Sequence, residues 1–245
     1  EGVDFFPVVG FEQHPLGEGR RIYDNIRRFL RYGLSGGLAE VLVMLTGPVV
    51  GLGVPLLPAQ ILWINLLTHG PPGVALGAEP AEPDTMRRAP RSPQQSILGG
   101  GLWVSILVTA VLLTAVSLGA GVAAYHLGRP WQSVLFVVLG LAQLGVALAV
   151  RAPRPDRRRT DPEAGSRRNP WLLAALAFSA ALQVAGVLLP PLRELLGTEA
   201  LTLRDLGGCA AVAILPGLVL RLGRWRRGAA APAESTGQTG AVRKD

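Results

Sequence analysis

Six long apolar runs separated by short polar breaks leave this chain few ways to fold. A run of about 17 to 25 apolar residues matches the hydrocarbon thickness of a bilayer. Inside that medium no water reaches the backbone, so each run must close its hydrogen bonds on itself, as a helix does. The runs fall at about 29–51, 60–78, 98–124, 132–150, 171–190 and 203–221. Mean hydropathy is +0.35 and only 17% of residues are charged, with the apolar residues gathered into blocks. These features predict an all-α membrane protein, a bundle of six transmembrane helices.

The basic residues set the expected orientation. Arg20, Arg21, Arg27, Arg28 and Arg31 precede the first run, and Arg87, Arg88 and Arg91 follow the second. Arg151, Arg154, Arg157, Arg158, Arg159, Arg167 and Arg168 follow the fourth, and Arg221, Arg224, Arg226, Arg227, Arg243 and Lys244 end the chain. Only Arg129, Arg193 and Arg204 lie on the opposite side. The positive-inside rule makes the basic side cytoplasmic, with both termini there and the chain multi-pass in the cell membrane. The same rule accounts for the net charge of +7 without nucleic acid as a partner.

Three parts are expected: an N-terminal segment, 1–19, with no predicted structure; a six-helix domain, 20–227; and a disordered tail, 228–245, rich in small and polar residues. The chain starts at Glu1 without a basic, then apolar, leader, so it reads as a fragment or a processed chain. Proline and glycine punctuate the runs: Gly51–Pro58 reads as a tight outer hairpin, and Pro190-Pro191 ends the fifth run. The single cysteine, Cys209, excludes a disulfide framework and a cysteine metal site.

Polar residues inside apolar runs are costly and point to function. Glu40 is the one acid well inside a run. In the second run, Asn65, Thr68 and His69 stand at i, i+3 and i+4, on one helical face. Gly70, Pro71 and Pro72 follow and should interrupt the ladder, because proline lacks an N–H. A break at membrane depth frees carbonyl oxygens of the kind that line ion sites. A cation pocket around Glu40 and Asn65 is the expected result. Protonated His69 would pair with Glu40; neutral, it prefers transition metals to hard cations. Gln143 and Gln183 read as hydrogen-bonding links between helices, Ser35, Gly36 and Gly37 as a patch for close helix approach, and His126 as a solvated loop residue.

The segments GRRIYDNIRRFLRYGLSGGLAEV, QILWINLLTHGPPGVALGAEP and DTMRRAPR, and later NPWLLAALAFSAALQ with PPLRELLGTEALTLRDL, carry a further signal. From about Gly19 to Arg227 the chain resembles the C-terminal membrane half of P-type cation-transporting ATPases of the calcium-pump-like branch. The resemblance implies that the six runs are the fifth to tenth helices of a ten-helix pump, with the lipid bilayer and a transported cation as partners. It implies that Glu40 is a fifth-helix carboxylate ligand and that Asn65 and Thr68 are sixth-helix ligands. It sets Gly37 where the family has an asparagine ligand, His69 where it has a site-bridging aspartate, and Gln143 at an eighth-helix glutamate position. No segment is similar to the family's phosphorylation, nucleotide-binding or actuator motifs, so the chain alone is expected not to hydrolyse ATP. It is expected to hold no cofactor of its own, with Mg2+ and ATP entering only through cytoplasmic ATPase domains. Two alternatives remain open at this point: a non-enzymatic membrane scaffold or partner protein, and a passive or proton-coupled cation pathway using Glu40 and His69.

Overall fold

The computed structural model describes residues 9–80, 96–151 and 169–229. Residues 1–8, the basic residues Arg87, Arg88 and Arg91, the charged stretch 152–168 and the tail from 230 onward lie outside the described residues. Among the described residues the regular elements are all helices: α1 (Val9–Thr46), α2 (Pro58–His69), α3 (Pro71–Gly77), α4 (Leu102–His126), α5 (Trp131–Val150), α6 (Pro170–Leu188), α7 (Pro190–Leu196) and α8 (Leu203–Ala229). Five helices are long and apolar enough to cross a membrane: Gly17–Thr46 within α1, α4, α5, α6 and Leu203–Gly223 within α8. At 1.5 Å per residue, α4 alone reaches about 37 Å.

Local chemistry sets the helix ends. α1 begins well before the apolar run expected at 29–51, because the stretch ahead of it, with Arg20, Arg21, Arg27 and Arg28, also favours a helix. It stops at Thr46, before Gly47-Pro48, since proline cannot continue the ladder. The run at 60–78 is divided at Gly70 (φ −69°, ψ −99°) into α2 and α3, as Gly-Pro-Pro predicts. Asn169 caps α6 by accepting from the Leu172 N–H (3.1 Å), with Pro170 as the first helical residue. The Pro190-Pro191 pair ends α6 and also starts the short α7, which Gly197 (φ +62°) closes.

Contacts along the helices fix their directions. Glu40 of α1 meets Asn65 of α2, and Asn25, earlier in α1, meets Gly77 at the end of α3, so α2–α3 runs antiparallel to α1. Asn169 meets Ala75 and Ser179 meets Leu67, which makes α6 antiparallel to α2–α3. Ser35 meets Ile106 and Ala39 meets Thr114, so α4 runs parallel to α1. α5 returns beside α4 after the turn at Gly128. At one end Arg129, just before α5, pairs with Asp205 of α8 (2.9 Å); further on Gly145 meets Gly217, so α5 and α8 run parallel.

α5 is the enclosed helix: 15 of its 20 residues are buried. A helix surrounded by others needs apolar residues all round, and the sequence WQSVLFVVLGLAQLGVALAV supplies them. Where it crosses α8, a side chain on Gly217 would lie 2.9 Å from the Gly145 carbonyl oxygen, so this approach requires glycine. Around the outside, Leu45, Leu62, Val74, Val104 and Trp171 are exposed, an apolar surface that suits lipid contact.

The break at Gly70 leaves a local debt of donors. In an unbroken helix the Leu67 and Thr68 carbonyls would accept from residues 71 and 72, and both are proline. Their replacements come from other helices. Ser179 Oγ of α6 donates to the Leu67 oxygen at 2.7 Å, and the Tyr32 hydroxyl of α1 donates to the Thr68 oxygen at 2.8 Å. Both donors are buried. Tyr32→Phe and Ser179→Ala should each lower stability by about 1–2 kcal/mol, the cost of stranding a buried carbonyl. Reversible unfolding in detergent micelles measures this, with lipid-facing Leu66→Ala as the comparison. Losses no larger than that of Leu66→Ala would show that the two hydroxyls are not what satisfies the break.

Candidate functional site

The polar centre of the bundle is Glu40, carried by α1 two turns before that helix ends and 5% exposed. Each carboxylate oxygen has its own amide donor from a different helix. Asn65 Nδ2 of α2 donates to Oε2 at 2.6 Å, and Gln143 Nε2 of α5 donates to Oε1 at 3.1 Å. Asn65 Nδ2 also donates to the Ile61 carbonyl at 2.9 Å, which fixes its rotamer. Gln143 is buried, and its remaining oxygen, Oε1, accepts no hydrogen bond among the described residues.

Gly36 makes this arrangement fit. A side chain there would lie 2.7 Å from Gln143 Oε1, so the bare α1 backbone is what admits the glutamine. The Ser35-Gly36-Gly37 patch thus divides by residue: Gly36 receives Gln143, while a side chain on Gly37 would meet nothing within 4 Å.

Thr68 and His69 form a second group. Thr68 Oγ1 and His69 Nδ1 lie 3.2 Å apart, and His69 Nε2 is 3.1 Å from the Gly33 carbonyl. The carbonyl can only accept, so a neutral ring with its proton on Nε2, accepting from Thr68 at Nδ1, satisfies both contacts. Gly33 and Glu40 are seven residues apart on α1, about 10 Å along its axis. The pairing of His69 with Glu40 is therefore not formed; the imidazole lies against the α1 backbone. Glu40, Asn65 and Gln143 are brought together, and Thr68 and His69 flank them towards the break.

The donor set is one carboxylate, two carboxamides and a hydroxyl, the hard oxygen ligands that suit calcium or magnesium. Among the described residues no group of three or more His, Cys, Asp and Glu side chains could hold a metal. Gln183 acts as a link between helices, its Nε2 donating to the Phe136 carbonyl of α5 at 2.9 Å. His126 ends α4, exposed, with its ring edge-on to Tyr125.

The family described as "Cation transporting ATPase, C-terminus" matches residues 53–226. The chain belongs to this family. It is 34% identical over 192 residues to the calcium-transporting ATPase of Bacillus subtilis (strain 168), an alignment covering 77% of this chain and 21% of that protein. It is 31% identical over 218 residues to calcium-transporting ATPase 1 of Bacillus cereus (strain ATCC 10987 / NRS 248), covering 81% and 24%. With calcium-transporting ATPase 1 of Yarrowia lipolytica (strain CLIB 122 / E 150) the identity is 33% over 196 residues, covering 77% and 20%. The chain thus spans between a fifth and a quarter of the length of these relatives. It is similar to the C-terminal membrane domain of calcium-transporting ATPases, and its apolar helices are those of a multi-pass membrane protein.

Tyr32 and Ser179 are the site-building residues that their own sequence context does not signal. The available signal is indirect: two consecutive prolines strand two carbonyls four residues earlier, so two buried donors must exist somewhere in the chain. Two neighbouring glycines supply a test of the site's packing. Gly37→Ala should raise stability by about 0.5–1 kcal/mol, the usual gain in an open helical position. Gly36→Ala should forfeit that gain and lower stability, because it displaces Gln143 from Glu40. Equal effects of the two substitutions on unfolding in micelles would rule out the tight fit.

Proposed function

We propose that this chain forms the intramembrane cation pathway of a calcium-transporting ATPase, with Glu40, Asn65 and Gln143 as its central ligands and Thr68 and His69 at its margin. The observation that carries the reading is the carboxylate of Glu40. It is buried in an apolar bundle, ringed by amides from two other helices, and next to a helix broken by Gly-Pro-Pro. The orphaned oxygen of Gln143 adds a ready acceptor. Calcium is the favoured cargo, since the relatives are calcium-transporting ATPases and the donors are hard oxygens. A cation entering here takes the carboxylate oxygens, and the Asn65 and Gln143 amides turn their oxygens toward it. ATP and Mg2+ act on cytoplasmic domains of the kind that the longer relatives have room for.

In this reading the membrane is crossed six times. α2 and α3 together span 20 residues, Pro58 to Gly77, about 30 Å if helical throughout, which matches the hydrocarbon core. The alternating directions of α1, α2–α3, α4, α5, α6 and α8 support that count, and the Arg bias supports cytoplasmic termini. A second reading, a membrane scaffold, is favoured by one observation: both Glu40 oxygens and both freed carbonyls already hold donors, so these four oxygens are satisfied without an ion.

Calcium binding to the purified chain separates the two. Under the pathway reading Glu40→Gln abolishes binding, and His69→Asp, which adds a second carboxylate near the break, raises affinity by about tenfold or more. Isothermal titration in micelles reads both. Binding that is unchanged in Glu40→Gln would sink the pathway reading.

A further inference from the structure

The side of α6 that packs on its neighbours is polar, beginning with its cap. Asn169, Ser179 and Gln183 each donate to a backbone carbonyl of another helix: Ala75 at 2.7 Å, Leu67 at 2.7 Å and Phe136 at 2.9 Å. Along this seam two polar atoms are buried with no hydrogen-bond partner among the described residues. They are the indole nitrogen of Trp63, on α2, and Oε1 of Gln183, a residue only 1% exposed.

Helix register sets these two residues opposite each other. α2 and α6 are antiparallel and pair Leu67 with Ser179. One turn further along, four residues back on α2 and four forward on α6, stand Trp63 and Gln183. Gly186, next on the same side of α6, agrees with that register. A side chain there would lie 3.6 Å from the Trp63 indole nitrogen and 3.5 Å from the Phe136 ring. Gln183 reaches the carbonyl of the same Phe136, so both unpaired atoms belong to the junction of α2, α5 and α6. The Phe136 carbonyl can only accept, which turns Nε2 of Gln183 toward it and Oε1 away. The undescribed stretches join the chain at the other end of the bundle; the one before Asn169 starts about 21 Å from Gln183 along α6.

The two atoms are chemically complementary and select their ligand. An indole N–H only donates and an amide oxygen only accepts. A cation is repelled by the first and an anion by the second, so the ligand is neutral and does both. Buried polar atoms of this kind are satisfied by protein or by ordered water, and internal waters characteristically bridge them.

We propose that the α2–α5–α6 junction is a hydration site, where buried water accepts from the Trp63 indole and donates to Oε1 of Gln183. The site is separate from the cation ligands and does not depend on transport. Direct bonds from Asn169 and Ser179 hold α3 and the break to α6; one turn beyond, the tie runs through an exchangeable molecule.

The test is nuclear magnetic resonance on the full purified chain in micelles, with isotope-labelled tryptophan and glutamine side chains. Among the five tryptophans, the Trp63 indole signal is the one lost in Trp63→Phe, or the one left by phenylalanine at Trp103, Trp131, Trp171 and Trp225. That signal should show a cross-peak to water of opposite sign in laboratory-frame and rotating-frame experiments, the mark of a bound water rather than of proton exchange. The Gln183 amide protons should show the same cross-peak. Gln183→Met, which removes Oε1, should abolish the Trp63 cross-peak while leaving the indole signal in place. If that variant does not fold, the paired cross-peaks of Trp63 and Gln183 in the unaltered chain decide the matter. A Trp63 signal without a water cross-peak, one arising from exchange alone, or one unchanged in folded Gln183→Met overturns the proposal.

Discussion

Two carbonyls without a helical donor organise this bundle. Pro71 and Pro72 leave the oxygens of Leu67 and Thr68 unsatisfied at a depth where no water substitutes, so the chain must bring hydroxyls to them. Ser179 comes from α6 and Tyr32 from α1, and between them they clamp the broken helix from two sides. Once α2 is held this way, Asn65 faces α1 near Glu40, and Gln143 closes the third side through the gap left by Gly36. The polar centre therefore follows from the break.

That clamping changes what the break offers to an ion. Broken membrane helices supply bare carbonyls as ligands when nothing else claims them. Here the two oxygens already accept from hydroxyls, so in the proposed pathway the ligand chemistry falls to the side chains of Glu40, Asn65 and Gln143. His69 is engaged as well, held by Thr68 on one ring nitrogen and by the Gly33 carbonyl on the other. In this arrangement it joins α2 to α1 beside the site.

The sequence made some of this legible and hid the rest for a physical reason. Run lengths, the Gly-Pro-Pro interruption and the Asn-x-x-Thr-His spacing are local properties: five of the six runs appear as helices long enough to cross a membrane, and the run at 60–78 is divided at its Gly-Pro-Pro. α1 exceeded expectation at its start because arginine-rich sequence extends a helix as well as leucine does, while hydropathy registers only the apolar part. The short α7 was hidden because a proline pair was read as an ending, when it starts a helix equally well. The donors to the freed carbonyls lie 36 and 112 residues away in the chain, and no local pattern encodes such a pairing. The turn of α1 that His69 meets was not legible for a related reason: a shared helical face says which residues look the same way, and does not say which turn of the neighbouring helix they meet.

The glycine contact between α5 and α8 has a mechanical meaning. Where two backbones touch without side chains between them, there is no rotamer to repack, so the pair moves together or not at all. α5 and α8 therefore can neither draw closer nor admit a side chain where they cross. Gln143 projects from one member of that pair and Glu40 from α1, so the 3.1 Å bond between them ties the polar centre to the least adjustable crossing in the bundle.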